Sequence, residues 1–90
     1  MTLLEALAGI RTKFLERSRS DLATLRAEDA DPSEVARIIH GLAGAAGVFG
    51  FHDLGAAASR ADQQMQEAGR VSPDALAELI GALQSALADA

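Results

Sequence analysis

His40 stands at the head of the run HGLAGAAGVFG, residues 40–50, and is the side chain in this sequence best suited to chemistry. An imidazole has three common uses. It works as a general base, as a metal ligand, or as a nucleophile that carries a covalent adduct on one ring nitrogen while an acceptor holds the other. A general base needs a cleft that holds substrate, and a small helical domain offers little concavity. A metal needs further donors. The second histidine, His52, lies beyond Gly50, and neither HxxxH nor HxxE spacing surrounds His40, so no metal site is expected. Residue chemistry leaves two readings open: a nucleophile, and an ordinary surface histidine.

The glycines bear on that choice. Gly41, Gly44 and Gly47 follow His40 on what reads as one continuous helix. Each interior glycine costs about 0.8–1 kcal/mol relative to alanine, and a whole domain is stable by only about 5–15 kcal/mol. Something bulky coming close to the helix surface beside His40 would account for them. The apolar stripe of this helix is Val35, Ile38, Ile39, Leu42, Ala46 and Phe49. His40 lies one residue past Ile39, about 100° around the axis, at the edge of the stripe and partly exposed. Its same-face neighbours are Ala36, Ala43, Gly44 and Gly47, all small. The ring therefore stands on a flat patch, which suits a partner protein that delivers or takes a group.

The elements that carry this patch read as helices. Over the first 28 residues, Leu3, Leu4, Leu7, Ile10, Phe14, Leu15, Leu22 and Leu25 recur at helical spacing. Gly9 offers a break that would split off a short extra N-terminal helix. Asp31-Pro32-Ser33-Glu34 starts the His40 helix, with Asp31 as N-cap, Pro32 at the first position and Glu34 in capping-box position. Gly50 stands where a C′ residue would. A third helix is expected from about Phe51 to Ala68, buried through Leu54, Ala58, Ala61 and Met65 and ended by Gly69. Ser72-Pro73-Asp74 starts the last, with Leu76, Leu79, Ile80, Leu83 and Leu87 inside. Short connections make neighbours antiparallel. The fold expected is all-α: a single domain over residues 1–90, an up-down antiparallel four-helix bundle.

Composition agrees. Hydrophobic residues make up 49% of the 90, with three Phe, no Trp and no Tyr, too few aromatics for a sheet protein. There is no cysteine, hence neither disulfide nor thiolate metal site. No apolar run reaches the ~18 residues that would span a membrane, and no signal sequence opens the chain, so a cytoplasmic protein is expected. The net charge of −5 argues against nucleic acid, which needs clustered Lys and Arg, and otherwise suits a small soluble domain.

The run HGLAGAAGVFG resembles the signature of histidine-containing phosphotransfer (HPt) domains: His, an apolar residue at +2, usually Lys at +3, Gly at +4, small residues, and Gly at +10. Through Phe51, His52, Asp53 and Leu54 it is similar to the phosphotransfer domain of chemotaxis-type histidine kinases, which carry a closely similar GxxGxFGF stretch. The helix order and the positions of Gly50 and Gly69 extend the resemblance over nearly the whole chain. It implies a phosphorelay function. His40 would accept a phosphoryl group on Nε2 from a kinase or a receiver aspartate and pass it to a response-regulator receiver. The domain would be a covalent carrier without turnover of its own, and would work as a monomer. No cofactor is expected on this chain; Mg²⁺ would sit on the receiver.

The resemblance also singles out residues. Relatives of the chemotaxis type have an acidic residue 22 positions after the histidine that accepts a hydrogen bond from Nδ1, and Asp62 stands there, one carbon shorter than Glu. Gly41, Ala43, Gly44 and Gly47 would form the docking face. The departure is Ala43, where the family usually has the Lys beside the phosphoryl group; Arg37 could partly replace it. Ala43 keeps an alternative in play, a degenerate scaffold that binds a receiver or kinase without being phosphorylated. His52 reads as a helix-start surface residue with no chemistry assigned.

Overall fold

Three of the four α-helices begin at a side-chain cap, and the third in chain order begins at Phe51 without one. The computed structural model describes residues 2–90. Helix α1 runs over Leu3–Arg26, opened by a capping box: the Thr2 hydroxyl accepts from the Glu5 N–H, and the Glu5 carboxylate accepts from the Thr2 N–H. Helix α2, Pro32–Ala45, starts at Asp31, whose carboxylate accepts from the Ser33 N–H at 2.9 Å; Glu34 turns to Arg37. A 3₁₀ turn, Ala46–Phe49, continues the helical path. Helix α3 spans His52–Ala68, and α4 spans Pro73–Asp89 behind the Ser72 N-cap. The connections at 27–31, 50–51 and 69–72 are short enough that each reverses the chain.

Gly50 has φ 85° and Gly69 φ 73°, left-handed conformations that glycine adopts without Cβ strain. Around Gly50 the chain closes tightly. Its N–H reaches Gly47 O at 3.1 Å, and the Phe51 N–H reaches Ala46 O at 3.0 Å. Phe14 of α1 stacks on Phe49 and Phe51 with ring centroids 4.8 and 6.0 Å away, which ties α1 to this turn.

The core is built from Leu25, Ile38, Ile39, Leu42, Ala46, Leu54, Leu79 and Leu83, with Ala57, Ala58 and Ala61 of α3 buried among them and Gly55 set against Ala46 and Gly47. Small side chains there let α2 and α3 lie close, and this is the most extensive helix pair; α1 packs chiefly on α4. Met65 is half-buried.

Two features differ from the sequence reading. α1 is unbroken through Gly9: one interior glycine weakens a helix but does not stop it. Among the described residues there is no short extra N-terminal helix. Its 24 residues also outrun the 14 to 17 of the other helices, so Leu3, Leu4, Leu7 and Ile10 stay exposed past the bundle end. Second, α2 tightens to 3₁₀ geometry at Ala46, so Gly47 sits in a 3₁₀ turn rather than an α-helix. Among the described residues no helix is long and apolar enough to cross a membrane.

Candidate functional site

His40 projects from the third turn of α2 with its side chain 77% exposed. The stripe of Ile38, Ile39 and Leu42 beside it is buried, which fixes the rotation of α2 and leaves the imidazole at the stripe's edge. Across the close α2–α3 interface stands Asp62, one residue beyond the buried Ala61. Its side chain is 18% exposed, and both carboxylate oxygens lie 3.3 Å from His40 Nδ1. Opposite an ionised carboxylate, which only accepts, Nδ1 carries the hydrogen of a neutral ring. The Nε2 lone pair then faces outward, free to attack. Gln66 donates to Asp62 Oδ2 at 3.0 Å from one turn along α3.

The surface below His40 is bare. A Cβ built on Gly41, Gly44 or Gly47 would meet nothing within 4 Å. The fold does not need these positions to be glycine. Val48, at the far end of the patch, is a large apolar side chain left exposed. Ala43 is half-buried against the core.

On the other side of His40 a groove of about 300 Å³ separates α1 from α2, lined by Phe14, Arg17, Ser18, Asp21, Arg37 and His40 among others. Arg37 is tethered in it by Glu34, whose hydrogen bond and charge raise the guanidinium pKa above its ordinary value. The structure therefore brings His40 and Asp62 into contact and puts Arg37 in the adjoining groove with a carboxylate already on it. His52 starts α3, exposed.

Sequence reasoning missed three residues here. Gln66 could have been read from its i+4 spacing to Asp62. Arg17 and Asp21 could not, because which residues of α1 face α2 depends on how the bundle closes. Burial pushes the Asp21 carboxyl above its ordinary value of 3.8, outweighing the pull of Arg17 and Arg37 in the other direction. A carboxyl raised in the folded state binds its proton more tightly there than in the unfolded chain. Its ionisation thus opposes folding at neutral pH, and the opposition fades as pH falls below the unfolded value. Asp21→Asn should raise Tm at pH 7, with the gain shrinking towards zero at the acid end of a series of circular-dichroism melts. An equal gain at every pH would show that charge is not the cause.

Among the described residues no group of three or more His, Asp or Glu is placed to hold a metal ion. Comparison with curated proteins and with solved structures gives no match. The family model described as Hpt domain, by contrast, matches residues 9–90, a span that contains His40, the glycine patch and all of α2, α3 and α4. The chain therefore belongs to the Hpt domain family, the histidine phosphotransfer domains of two-component signalling.

Proposed function

We propose that this domain carries a phosphoryl group on Nε2 of His40 between a histidine kinase or receiver aspartate and a response-regulator receiver. The observation that supports it most is the pairing of an exposed imidazole, its Nδ1 against Asp62, with a glycine surface that the fold itself leaves unexplained. In the forward step the Nε2 lone pair forms an N–P bond while the P–O bond to the donor breaks. The leaving oxygen departs with the electron pair, as a receiver carboxylate or as ADP. The ring, which keeps its Nδ1 hydrogen, becomes cationic, and the Asp62 carboxylate offsets that charge. Transfer onward reverses each change.

The bare patch of Gly41, Gly44 and Gly47, with Ala43 at its inner edge, lets the receiver bring its own acidic pocket and Mg²⁺ over His40. This chain contributes no cofactor, only a positioned nucleophile. Arg37, and not a residue at 43, is the cation of α2 nearest this task. The domain works as a monomer in the cytoplasm.

The test is transfer from a panel of phosphorylated receivers, and from kinases supplied with ATP, to the wild-type domain and to His40→Gln. Acid-labile, base-stable label is expected on the wild type and none on the variant. Ala43 favours one other reading, a scaffold that binds without being phosphorylated. Absence of label from every donor, with receiver binding that survives His40→Gln, would establish the scaffold instead.

A further inference from the structure

Asp62 is held from two sides. Both of its oxygens lie 3.3 Å from His40 Nδ1, the long end of hydrogen-bond range, and Gln66 Nε2 donates to Oδ2 at 3.0 Å. At 3.3 Å a modest swing of the carboxylate would lose the imidazole altogether. The terminal torsion of an aspartate is broad and fixed by its hydrogen bonds more than by its own preference. Gln66 is exposed, so packing does not explain where its amide points. The same i,i+4 pattern recurs on α3 in Gln63, which donates to Glu67 at 3.1 Å, but that pair touches no third group. Spacing alone therefore does not set Gln66 apart; what it holds does.

We propose that Gln66 is a positioning residue for the nucleophile: by anchoring Oδ2 of Asp62 it keeps the carboxylate aimed at Nδ1 and so selects the ring tautomer with Nε2 free. This rests on the reading of His40 as phosphoryl acceptor. Gln66 does not touch the reacting atom. It acts through Asp62, whose Oδ2 its amide holds at 3.0 Å. Removing the donor leaves helix and core intact, because nothing is packed behind it, and lets the carboxylate turn to water.

Long-range ¹H–¹⁵N spectra of the intact domain, taken at a pH where the imidazole is neutral, read the His40 tautomer directly, with the His40→Gln spectrum as assignment control. Wild type should show mostly Nδ1–H. Gln66→Met, similar in size but without a donor, should lower the ratio of Nδ1–H to Nε2–H by about 3- to 10-fold, the effect of losing one partly exposed hydrogen bond to a charged group. Tm should stay unchanged, and the transfer rate should fall in step. Gln66→Lys, which keeps a donor, should retain the wild-type ratio. An unchanged ratio in Gln66→Met overturns the inference; if Asp62→Asn still collapses the ratio, the His40–Asp62 pair survives and only the role of Gln66 is lost. A wild type that is mostly Nε2–H overturns both. Labelling of His40 by a phospho-donor stands apart from all these spectra, so failure of the carrier reading is recognised separately.

Discussion

Gly44→Leu should make this protein more stable and nearly unable to exchange phosphoryl groups. A Cβ at Gly44 meets no atom within 4 Å, so the substitution adds helix propensity without a clash inside the molecule. The gain expected is roughly 0.5–1 kcal/mol, or a Tm rise of about 2–8 °C for a domain of this size. Position 44 is one turn after His40 on the same face. Helical side chains lean back over the preceding turn, so a leucine there would lie against the imidazole and occupy the space a docking receiver needs. Loss of close approach at the reacting nitrogen should cut the transfer rate by at least about 100-fold, or ~2.7 kcal/mol of barrier. Thermal melts beside rapid-quench transfer measurements would decide it. A stabilised variant with unimpaired transfer would place the docking face elsewhere.

Asp62→Asn should lower the transfer rate by about 10- to 100-fold while leaving the fold alone. The substitution keeps the shape of a side chain that is only 18% exposed but replaces an acceptor-only group by one that also donates. An amide N–H turned towards Nδ1 would hold the tautomer with hydrogen on Nε2, the nitrogen that must attack. The cationic ring of the phosphorylated state would also lose its counter-charge, and roughly 1.4–2.7 kcal/mol of barrier corresponds to the fall expected. Because the ring's charge is complete in the phosphorylated state and only partial in the transition state, attack on the donor should slow while onward transfer is spared. An equal loss in both directions would assign Asp62 to partner contact instead of to the imidazole.

The parts of this molecule written in local chemistry were readable from the chain. Asp31-Pro32-Ser33 and Ser72-Pro73 start α2 and α4, and Gly50 and Gly69 take the left-handed turns that end their segments. The edge position of His40 follows from where Ile38, Ile39 and Leu42 point. What was not readable depends on distances between elements. Gly9 was a plausible break because its local penalty is visible, whereas the capping box and flanking turns that carry α1 through it act together. The exposure of Leu3 to Ile10 reflects unequal helix lengths, which periodicity does not report. The shift to 3₁₀ geometry at Ala46 comes with the stacking of Phe49 and Phe51 on Phe14, a contact between distant segments that local sequence does not report. Arg17 and Asp21 reach the His40 groove for the same kind of reason.

The small residues of α3 have one more effect. Gly55 and the buried Ala58 lie on the helix face that carries Asp62, and a Cβ at 55 would already meet Gly47 N at 3.5 Å, so α3 lies close there; axis separation follows the size of the side chains at the contact. That separation is the gap an acid at position 62 must bridge to reach Nδ1. Here the shortest acidic side chain bridges it, at 3.3 Å. The core beneath the site therefore works as a gauge: its thickness selects the length of the acid above it. Core packing and acid identity are one joint choice in this bundle, so a thicker layer at 55 and 58 would be matched by a glutamate at 62, and neither change is neutral without the other.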